Sequence, residues 1–334
     1  MREYSPPLLV PYFAGFQLKS DWGLSSEVEV SSQLLFREAA AKGASLLFTP
    51  TVAAKDPLEN SEYAYTRFKL VAEGPEGVTL LTRPLSANVG EVKTLLEQKY
   101  GDSKTVFSIA VASFAEAQQL LEDAGREPDA LELDVNLTCL LSGKGVAYAI
   151  ELAKELSATL KSRLILKLGT ASANLVNLER LADDSGAVAI VLTPNVVYKV
   201  GRHFFRLTIP THLSAPLLIG IAESLAELDI SVAYVVQSGR EELLELAPLK
   251  LYDATYILNW LQWKGGKKVE RVSTVPLAWK PISRKLKVYS HKGANFCPYG
   301  LIKGEGFVEG CNYCGVCFEL NEPGLIELAA LLLP

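Results

Sequence analysis

Four of the five cysteines fall in one short segment near the end of the chain, and their spacing is that of metal ligands. Cys311, Cys314 and Cys317 form two consecutive C-x-x-C steps, and Cys297, followed by a proline, adds a thiol upstream. Three thiolates at this spacing can wrap one face of a 4Fe-4S cluster, and bacterial ferredoxins also carry a Cys-Pro ligand, although there it follows the triplet. Tetrahedral zinc uses the same ligand set, and unligated thiols are the third alternative. The segment predicts a metal site, with an iron-sulfur cluster as the leading interpretation.

A second set of chemically useful side chains follows the apolar runs that we interpret as strands. The set consists of Thr49, Asn136, Thr138, Cys139, Lys167, Asn195 and the turn Gln237-Ser238-Gly239. Strand ends are commonly rich in polar turn residues, so an ordinary structural explanation is available for each of them. Lys167 is harder to explain in that way, because an ammonium group ending a buried strand is costly unless it meets an anion or an electron-rich ring. We therefore expect Lys167 to belong to a ligand site.

The scaffold that positions these side chains is indicated by short apolar runs alternating with amphipathic windows, a pattern typical of a parallel sheet with crossover helices. The eight predicted strands are Leu8–Phe13, Ser45–Phe48, Thr105–Ala110, Ala130–Val135, Arg163–Leu168, Val188–Leu192, Ser231–Val236 and Ala254–Leu258. The predicted helices include Val28–Ala41, Phe114–Asp123, Val146–Leu160, Ala173–Asp184, Pro216–Glu227 and Arg240–Ala247. Eight such units predict an α/β fold of the (β/α)8 TIM barrel type, whose active site lies on the loops that follow the strands.

Two segments fall outside this alternation. Lys55–Asn88 is an insertion after the second predicted strand, and Val78–Leu81 within it is predicted to form a local hairpin above the catalytic face. After Trp263 the alternation ends in a segment rich in lysine and glycine. We predict a barrel of residues 1–263 and a small C-terminal extension, residues 264–334, that carries the cysteine cluster.

Composition limits the classes of partner. A chain of 334 residues, 49% hydrophobic, can form one large α/β domain with an appendage. Its net charge of -5 gives no sign of a nucleic-acid footprint, and no uninterrupted apolar run approaches the roughly 18 residues of a membrane span. Met1–Leu9 lacks the basic start and unbroken apolar run of a signal peptide. We expect a cytoplasmic protein that binds a small molecule or a protein partner.

The order of several motifs resembles the dihydroorotate dehydrogenase family and the related barrel domain of dihydropyrimidine dehydrogenase. Phe107–Ala110 is similar to the family's Ser-Ile-Ala strand, and Leu131–Cys139 is similar to the strand that leads into its Asn-Leu-Ser-Cys loop. Leu166–Leu168 is similar to its Val-Lys-Leu strand. Gly43–Thr51, with Asn60 and Arg67, is similar to the segment that follows the second strand in that family. The resemblance extends over most of the predicted barrel.

This resemblance implies an FMN across the barrel mouth, with a pyrimidine-like substrate stacked on it. The implied reaction is oxidation of a dihydropyrimidine such as dihydroorotate at a CH-CH bond. Asn136 would hydrogen-bond the substrate or the flavin, Lys167 would lie near the flavin ring, and Asn195 would bind the substrate. Cys139 stands where one branch of the family places its general base, which takes a proton from one carbon while hydride leaves the next for the flavin.

The phosphate-binding turns of that family are glycine-rich, because backbone N–H groups must approach the FMN phosphate closely. Here the corresponding segments are Pro210–Ala215 and Val236–Gly239, in which Ser214, Ser238 and Gly239 are the candidate phosphate donors. The change motivates a second hypothesis, a flavin-free and catalytically silent subunit that relays electrons or scaffolds an active paralogue. A third is a barrel that binds a different phosphorylated ligand above a structural zinc. The first two hypotheses predict a homo- or hetero-oligomer with a related or electron-transfer subunit.

Overall fold

The computed structural model describes residues 11–27, 33–53, 69–72, 78–81, 89–160, 163–169, 178–200, 203–208, 211–226, 230–236, 249–252, 284–288, 303, 305–307 and 326–330. The strands are β1 (Tyr12–Phe13), β2 (Phe16–Gln17), β3 (Trp22–Leu24), β4 (Leu46–Phe48), β5 (Val52–Ala53), β6 (Lys69–Ala72), β7 (Val78–Leu81), β8 (Lys104–Ala110), β9 (Ala130–Asp134), β10 (Arg163–Gly169), β11 (Ala189–Thr193), β12 (Val196–Val200), β13 (His203–Thr208), β14 (Ser231–Val236), β15 (Lys250–Tyr252), β16 (Arg284–Val288), β17 (Gly306–Phe307) and β18 (Ile326–Ala330). The helices are α1 (Gln33–Ala41), α2 (Val89–Leu96), α3 (Phe114–Ala124), α4 (Val135–Ser142), α5 (Val146–Thr159), α6 (Leu178–Ser185) and α7 (Thr211–Ala226). Within these ranges, no helix is long and apolar enough to cross a bilayer.

Eight parallel strands close into the predicted (β/α)8 barrel, in the order β3-β4-β8-β9-β10-β11-β14-β15. Each strand pairs in parallel with the next, and β15 pairs with β3 to close the ring. Gly23 permits a close approach of β3 to β4, because a Cβ at that position would overlap the Leu46 carbonyl oxygen. The carboxyl ends of all the strands therefore lie at one end of the barrel, where the sites of TIM-barrel enzymes are built.

The first and last barrel strands differ from the sequence prediction. The first is β3 rather than Leu8–Phe13, whose described end pairs as β1 in an antiparallel hairpin with β2. The last is β15 rather than Ala254–Leu258, and the latter lies outside the described residues. Both strands span only three residues, too few to show a hydrophobic period. The other six predicted strands are confirmed to within about a residue at their ends.

The predicted amphipathic windows overlap five described helices, α1, α3, α5, α6 and α7, whereas α2 lies outside all of them. Helix α3 begins after Ser113, whose Oγ accepts the Glu116 backbone N–H at 3.3 Å, and ends at Gly125, which has a left-handed φ of 71°. The apolar faces of the helices pack on the outward side chains of the strands in one continuous core. Helix α4 was not predicted, since its residues were interpreted as a strand end and a loop, and the predicted helix Arg240–Ala247 lies outside the described residues.

The interior of the barrel is apolar at its amino-terminal end. Inward side chains of the strands form a second core cluster that includes Val106, Ile165 and Val235. The β1–β2 hairpin closes the amino-terminal end with Phe13 and Phe16, which belong to the same cluster. Because this end is filled by side chains, polar groups inside the barrel are confined to its carboxyl end.

Two further sheets lie outside the barrel order. The insertion after β4 forms the predicted hairpin, in which β7 pairs with β6 and also with β13 of the chain that follows β11. This four-stranded sheet joins segments that leave the carboxyl ends of two barrel strands. In the C-terminal extension, β16 pairs with β17 and β18. The four clustered cysteines lie outside the described residues, and the division at residues 263 and 264 stays a prediction.

Candidate active site at the carboxyl end of the barrel

Fully buried polar side chains gather where the barrel strands end. They are Ser26, Glu27, Thr49, Thr51, Ser108, Glu132, Asp134, Lys167, Thr193 and Asn195. They come from six different barrel strands or the residues directly after them. Burial of so many polar groups is tolerated only when they bond to each other or to a ligand, so their concentration at the catalytic end of a TIM barrel marks the candidate site.

Lys167 is the centre of this cluster. Its Nζ lies 2.7 Å from Asp134 Oδ2 on the neighbouring strand, where the two residues are direct register partners. The same Nζ donates to Ser26 Oγ at 3.1 Å and lies 3.7 Å from Glu27 Oε1. An ammonium group this deeply buried requires such counterions. The expectation that Lys167 meets an anion is met by two carboxylates of the chain itself.

Glu27 connects Lys167 to the end of β11. Its Oε1 accepts the Thr193 hydroxyl at 2.6 Å, and its Oε2 accepts Asn195 Nδ2. The Asn195 backbone N–H donates to Thr193 Oγ1 at 3.2 Å. The Glu27 carboxylate fixes the orientation of the Asn195 amide, because the amide nitrogen must face it. Asn195 Oδ1 is thereby left buried, with no hydrogen-bond partner among the described residues.

Asn136 and Asn195 both lie close to Gly169. A Cβ on Gly169 would lie 2.6 Å from Asn136 Nδ2 and 3.0 Å from the Asn195 backbone oxygen, so glycine is needed for the two to approach. Asn136 lies in the first turn of α4, which Asp134 caps by accepting the Leu137 N–H at 3.0 Å. The three residues Asn136, Lys167 and Asn195, singled out by the resemblance, are thus brought together at one place.

A second polar layer lies beside this one on β8 and β9. Ser108 Oγ donates to Glu132 Oε1 at 2.6 Å and lies 3.0 Å from Thr51 Oγ1, while its N–H donates to Thr49 Oγ1 at 3.0 Å. Burial raises the pKa of the Glu132 carboxyl, against the opposing effects of the Lys167 charge and the Ser108 hydrogen bond. Glu132 is therefore the acid of the cluster whose neutral form is favoured.

Cys139 and Thr138 lie on α4. Burial, together with the Asp134 charge, raises the pKa of the Cys139 thiol to about 11, so the thiol holds its proton at neutral pH. Cys139 is half-buried and packs against the core that lies between the helices and the strands. Thr138 Oγ1 accepts the Val111 N–H at 3.3 Å, which ties α4 to the end of β8.

The remaining candidate residues stay predictions. Ser214 lies in the first turn of α7, and Ser238, Gly239 and the four clustered cysteines lie outside the described residues. Among the described residues, no group of three or more His, Cys, Asp or Glu side chains is arranged to hold a metal ion.

Sequence reasoning missed three acids of the site. Glu132 and Asp134 alternate with leucines in β9, and this two-residue period places both side chains inside the barrel. Two carboxylates that point into the barrel from one strand are therefore a sequence signal for a polar site at its carboxyl end. Glu27 was missed because the predicted first strand, Leu8–Phe13, precedes the actual one, Trp22–Leu24. The residues after Leu24 were therefore not predicted to lie at the carboxyl end of the barrel.

Comparison with known proteins gives little beyond this geometry. No family model and no curated protein matches the chain. Among solved structures, a refolded protein of Pediococcus acidilactici described as a lactate oxidase matches at 13% identity with a TM-score of 0.41. The match covers 73% of this chain and 65% of that protein, so less than two thirds of its length is represented. No functional conclusion follows from a likeness at this level.

Proposed function

We propose that this barrel is a flavin-dependent oxidoreductase of the dihydroorotate dehydrogenase type, whose mouth binds a ring that carries an imide N–H. The observation that supports it is the buried Asn195 Oδ1, an acceptor without a partner among the described residues. A buried acceptor of this kind costs about 1–3 kcal/mol unless a donor reaches it. The isoalloxazine of FMN and a dihydropyrimidine substrate both present an N–H flanked by carbonyl groups. Either ring supplies the donor that Asn195 lacks.

The residues around Gly169 suit such a ring. Asn195 Oδ1 accepts the ring N–H, and the Asn136 amide, which approaches Gly169 as the Asn195 backbone oxygen does, is a further polar group beside that ring. Lys167 acts through Glu27, which holds the Asn195 amide in the required orientation. Lys167 is therefore proposed as a positioning residue. Ser214, Ser238 and Gly239 are the proposed donors to the FMN phosphate.

The chemistry divides between the cofactor and the chain. FMN, when bound, accepts hydride from a CH-CH group of the substrate. The chain's part is to orient the ring, to exclude water with a fully buried polar layer, and to hold the substrate proton. Cys139 is the proposed proton acceptor, and a thiol pKa of about 11 means that bound ligand must lower this pKa before the thiol can act as a base.

The cysteine cluster completes the proposal. A 4Fe-4S cluster on Cys297, Cys311, Cys314 and Cys317 would take electrons one at a time from the flavin and pass them to a partner subunit. Zinc on the same thiolates is the alternative and carries no electrons. We place the protein in the cytoplasm, where clusters of thiolates persist without forming disulfides.

Asn195→Ala tests the ring-binding role. We expect the full chain to bind FMN or orotate, and the variant to bind that ring about tenfold more weakly, since one buried hydrogen bond is lost. Calorimetric titration with each compound separates a flavin subsite from a substrate subsite. Gln119→Ala removes an exposed amide on α3 and is the matched control. Equal affinities of wild type and Asn195→Ala for both rings would refute the proposal.

Cys314→Ala tests the metal site. We expect this variant to lose its bound metal and to keep its flavin, because the two sites use different residues. Cys139→Ser is the matched control, since Cys139 is the one cysteine outside the cluster. Metal analysis and flavin absorbance measure both contents. Loss of flavin and metal together from Cys314→Ala would count against separate sites.

A second candidate function, the catalytically silent subunit, is favoured by the bonding of Lys167. Its Nζ is surrounded by Asp134, Ser26 and Glu27, an arrangement that a purely structural buried ion pair would also show. A purified chain with a cluster but no flavin, inactive toward dihydropyrimidines with an artificial acceptor, would select this function over the first.

A further inference from the structure

A cavity of about 710 Å³ opens at the amino-terminal end of the barrel. It lies between residues 17–19, the helix α1 with the turn after it, and residues 99–104, which lead into β8. Its volume falls within the range of about 300–1,000 Å³ that is common for small-molecule sites. Because it lies at the opposite end from the Lys167 cluster, the proposed oxidoreductase site does not account for it.

The charges that line this cavity are mainly positive. The charged lining residues are Lys19, Arg37, Lys99, Lys104 and a single carboxylate, Asp102. Asp102 is ion-paired with Lys19, whose hydrogen bond and charge lower the pKa of that carboxyl. Arg37 donates to the neutral Gln98 Oε1 at 2.8 Å. In a chain of net charge -5, this concentration of cations favours a negatively charged ligand.

Tyr100 adds an independent sign of a ligand. It lines the cavity, is only 4% exposed, and has a hydroxyl with no hydrogen-bond partner among the described residues. Its ring is fixed by Phe36, with the ring centroids 5.4 Å apart. Burial raises the pKa of the hydroxyl to about 12 despite the opposing charge of Arg37, so the group remains a donor. A buried donor of this kind needs an acceptor to offset its desolvation.

We propose that this cavity binds a phosphorylated small molecule. The Tyr100 hydroxyl donates to a phosphate oxygen, and Arg37, Lys99 and Lys104 neutralise the phosphate charge. Guanidinium groups bind phosphate through paired N–H donors, and lysines bind it as point charges. A small molecule suits this site better than a nucleic acid, because a volume of about 710 Å³ is of small-molecule size and the chain as a whole carries a negative charge.

Calorimetric titration of the full chain with pyrophosphate and with ATP, at physiological salt, tests this site. We expect at least one of the two to bind wild type, and Tyr100→Phe to weaken its affinity about tenfold or more, as for one hydrogen bond to a charged group. The double variant Arg37→Gln, Lys99→Gln should lose binding. Lys154→Gln, an exposed lysine on α5, should bind like wild type. Wild type that binds neither anion, or variants that all bind as wild type does, would overturn the proposal.

Ligand-free thermal unfolding gives a second readout that does not depend on ligand binding. Tyr100→Phe keeps the ring packed on Phe36 and removes only the unpartnered hydroxyl, so we expect its melting temperature to equal or exceed that of wild type. A melting temperature several degrees lower would show that the hydroxyl has a partner within the chain, and would overturn the proposal. Ring binding at the barrel mouth should be unchanged in this variant, which separates this site from the proposed oxidoreductase site.

Discussion

Lys167→Met is expected to lower the free energy of unfolding by about 3–5 kcal/mol, the range for removing one partner of a buried ion pair. The variant keeps most of the side-chain volume but leaves Asp134 and Glu27 buried without the ammonium group they share. Urea denaturation followed by circular dichroism measures the change. This loss of stability should exceed the loss caused by removing a similar volume of apolar side chain, because two buried carboxylates lose their counterion.

Two variants control this result. Lys154→Met changes an exposed lysine on α5 and should alter the free energy of unfolding by no more than about 0.5 kcal/mol. Combining Lys167→Met with Asp134→Asn should recover part of the loss, since one unpaired carboxylate is removed. A loss below about 1 kcal/mol for Lys167→Met would mean that the ion pair is not the centre of the cluster.

Glu132→Gln is expected to gain stability relative to wild type as the pH rises. In the unfolded chain the Glu132 carboxyl ionises near its ordinary pKa of 4.5, whereas burial raises its pKa in the folded barrel. Unfolding between these two values releases a proton, so the contribution of this group is complete below pH 4.5 and is lost as the pH rises toward the folded pKa. The variant cannot ionise and avoids this loss.

The difference in unfolding free energy between Glu132→Gln and wild type should therefore grow by up to about 1.4 kcal/mol per pH unit and then level off. Urea denaturation at a series of pH values above 4.5 measures it. Glu155→Gln, which changes an exposed carboxyl on α5, should give a profile parallel to wild type. A difference for Glu132→Gln that falls with pH would show that its carboxyl is ionised in the folded barrel.

The barrel was predictable because most of its strands are long enough to carry a hydrophobic signal. Runs such as Thr105–Ala110 and Arg163–Leu168 each contain four apolar residues in six, and the structure has them as β8 and β10. The short strands β3 and β15 have no such signal, since parallel pairing with two neighbours defines them more than their own residues do. Hydrophobic pattern thus predicts the repeat but not its first and last members.

The candidate site was predictable in part for a related reason. Lys167 lies near the end of β10 and Asn195 follows β11. Both strands were predicted correctly, so the positions of these two residues at the carboxyl end could be inferred. The contact between Lys167 and Glu27 could not be inferred. Glu27 follows β3, which lies four strands away from β10 in the ring, and only the closed barrel brings Glu27 Oε1 to within 3.7 Å of Lys167 Nζ. The orientation of the Asn195 amide, which leaves its oxygen available, also depends on that contact.

The visible absorption spectrum of the anaerobically purified chain, recorded with metal analysis before and after addition of dihydroorotate, tests the proposed function most directly. We expect flavin bands together with the broad absorbance of an iron-sulfur cluster, and bleaching of the flavin bands by dihydroorotate. Purified chain that contains neither flavin nor iron, and that acquires no flavin when incubated with FMN, would contradict the proposed function.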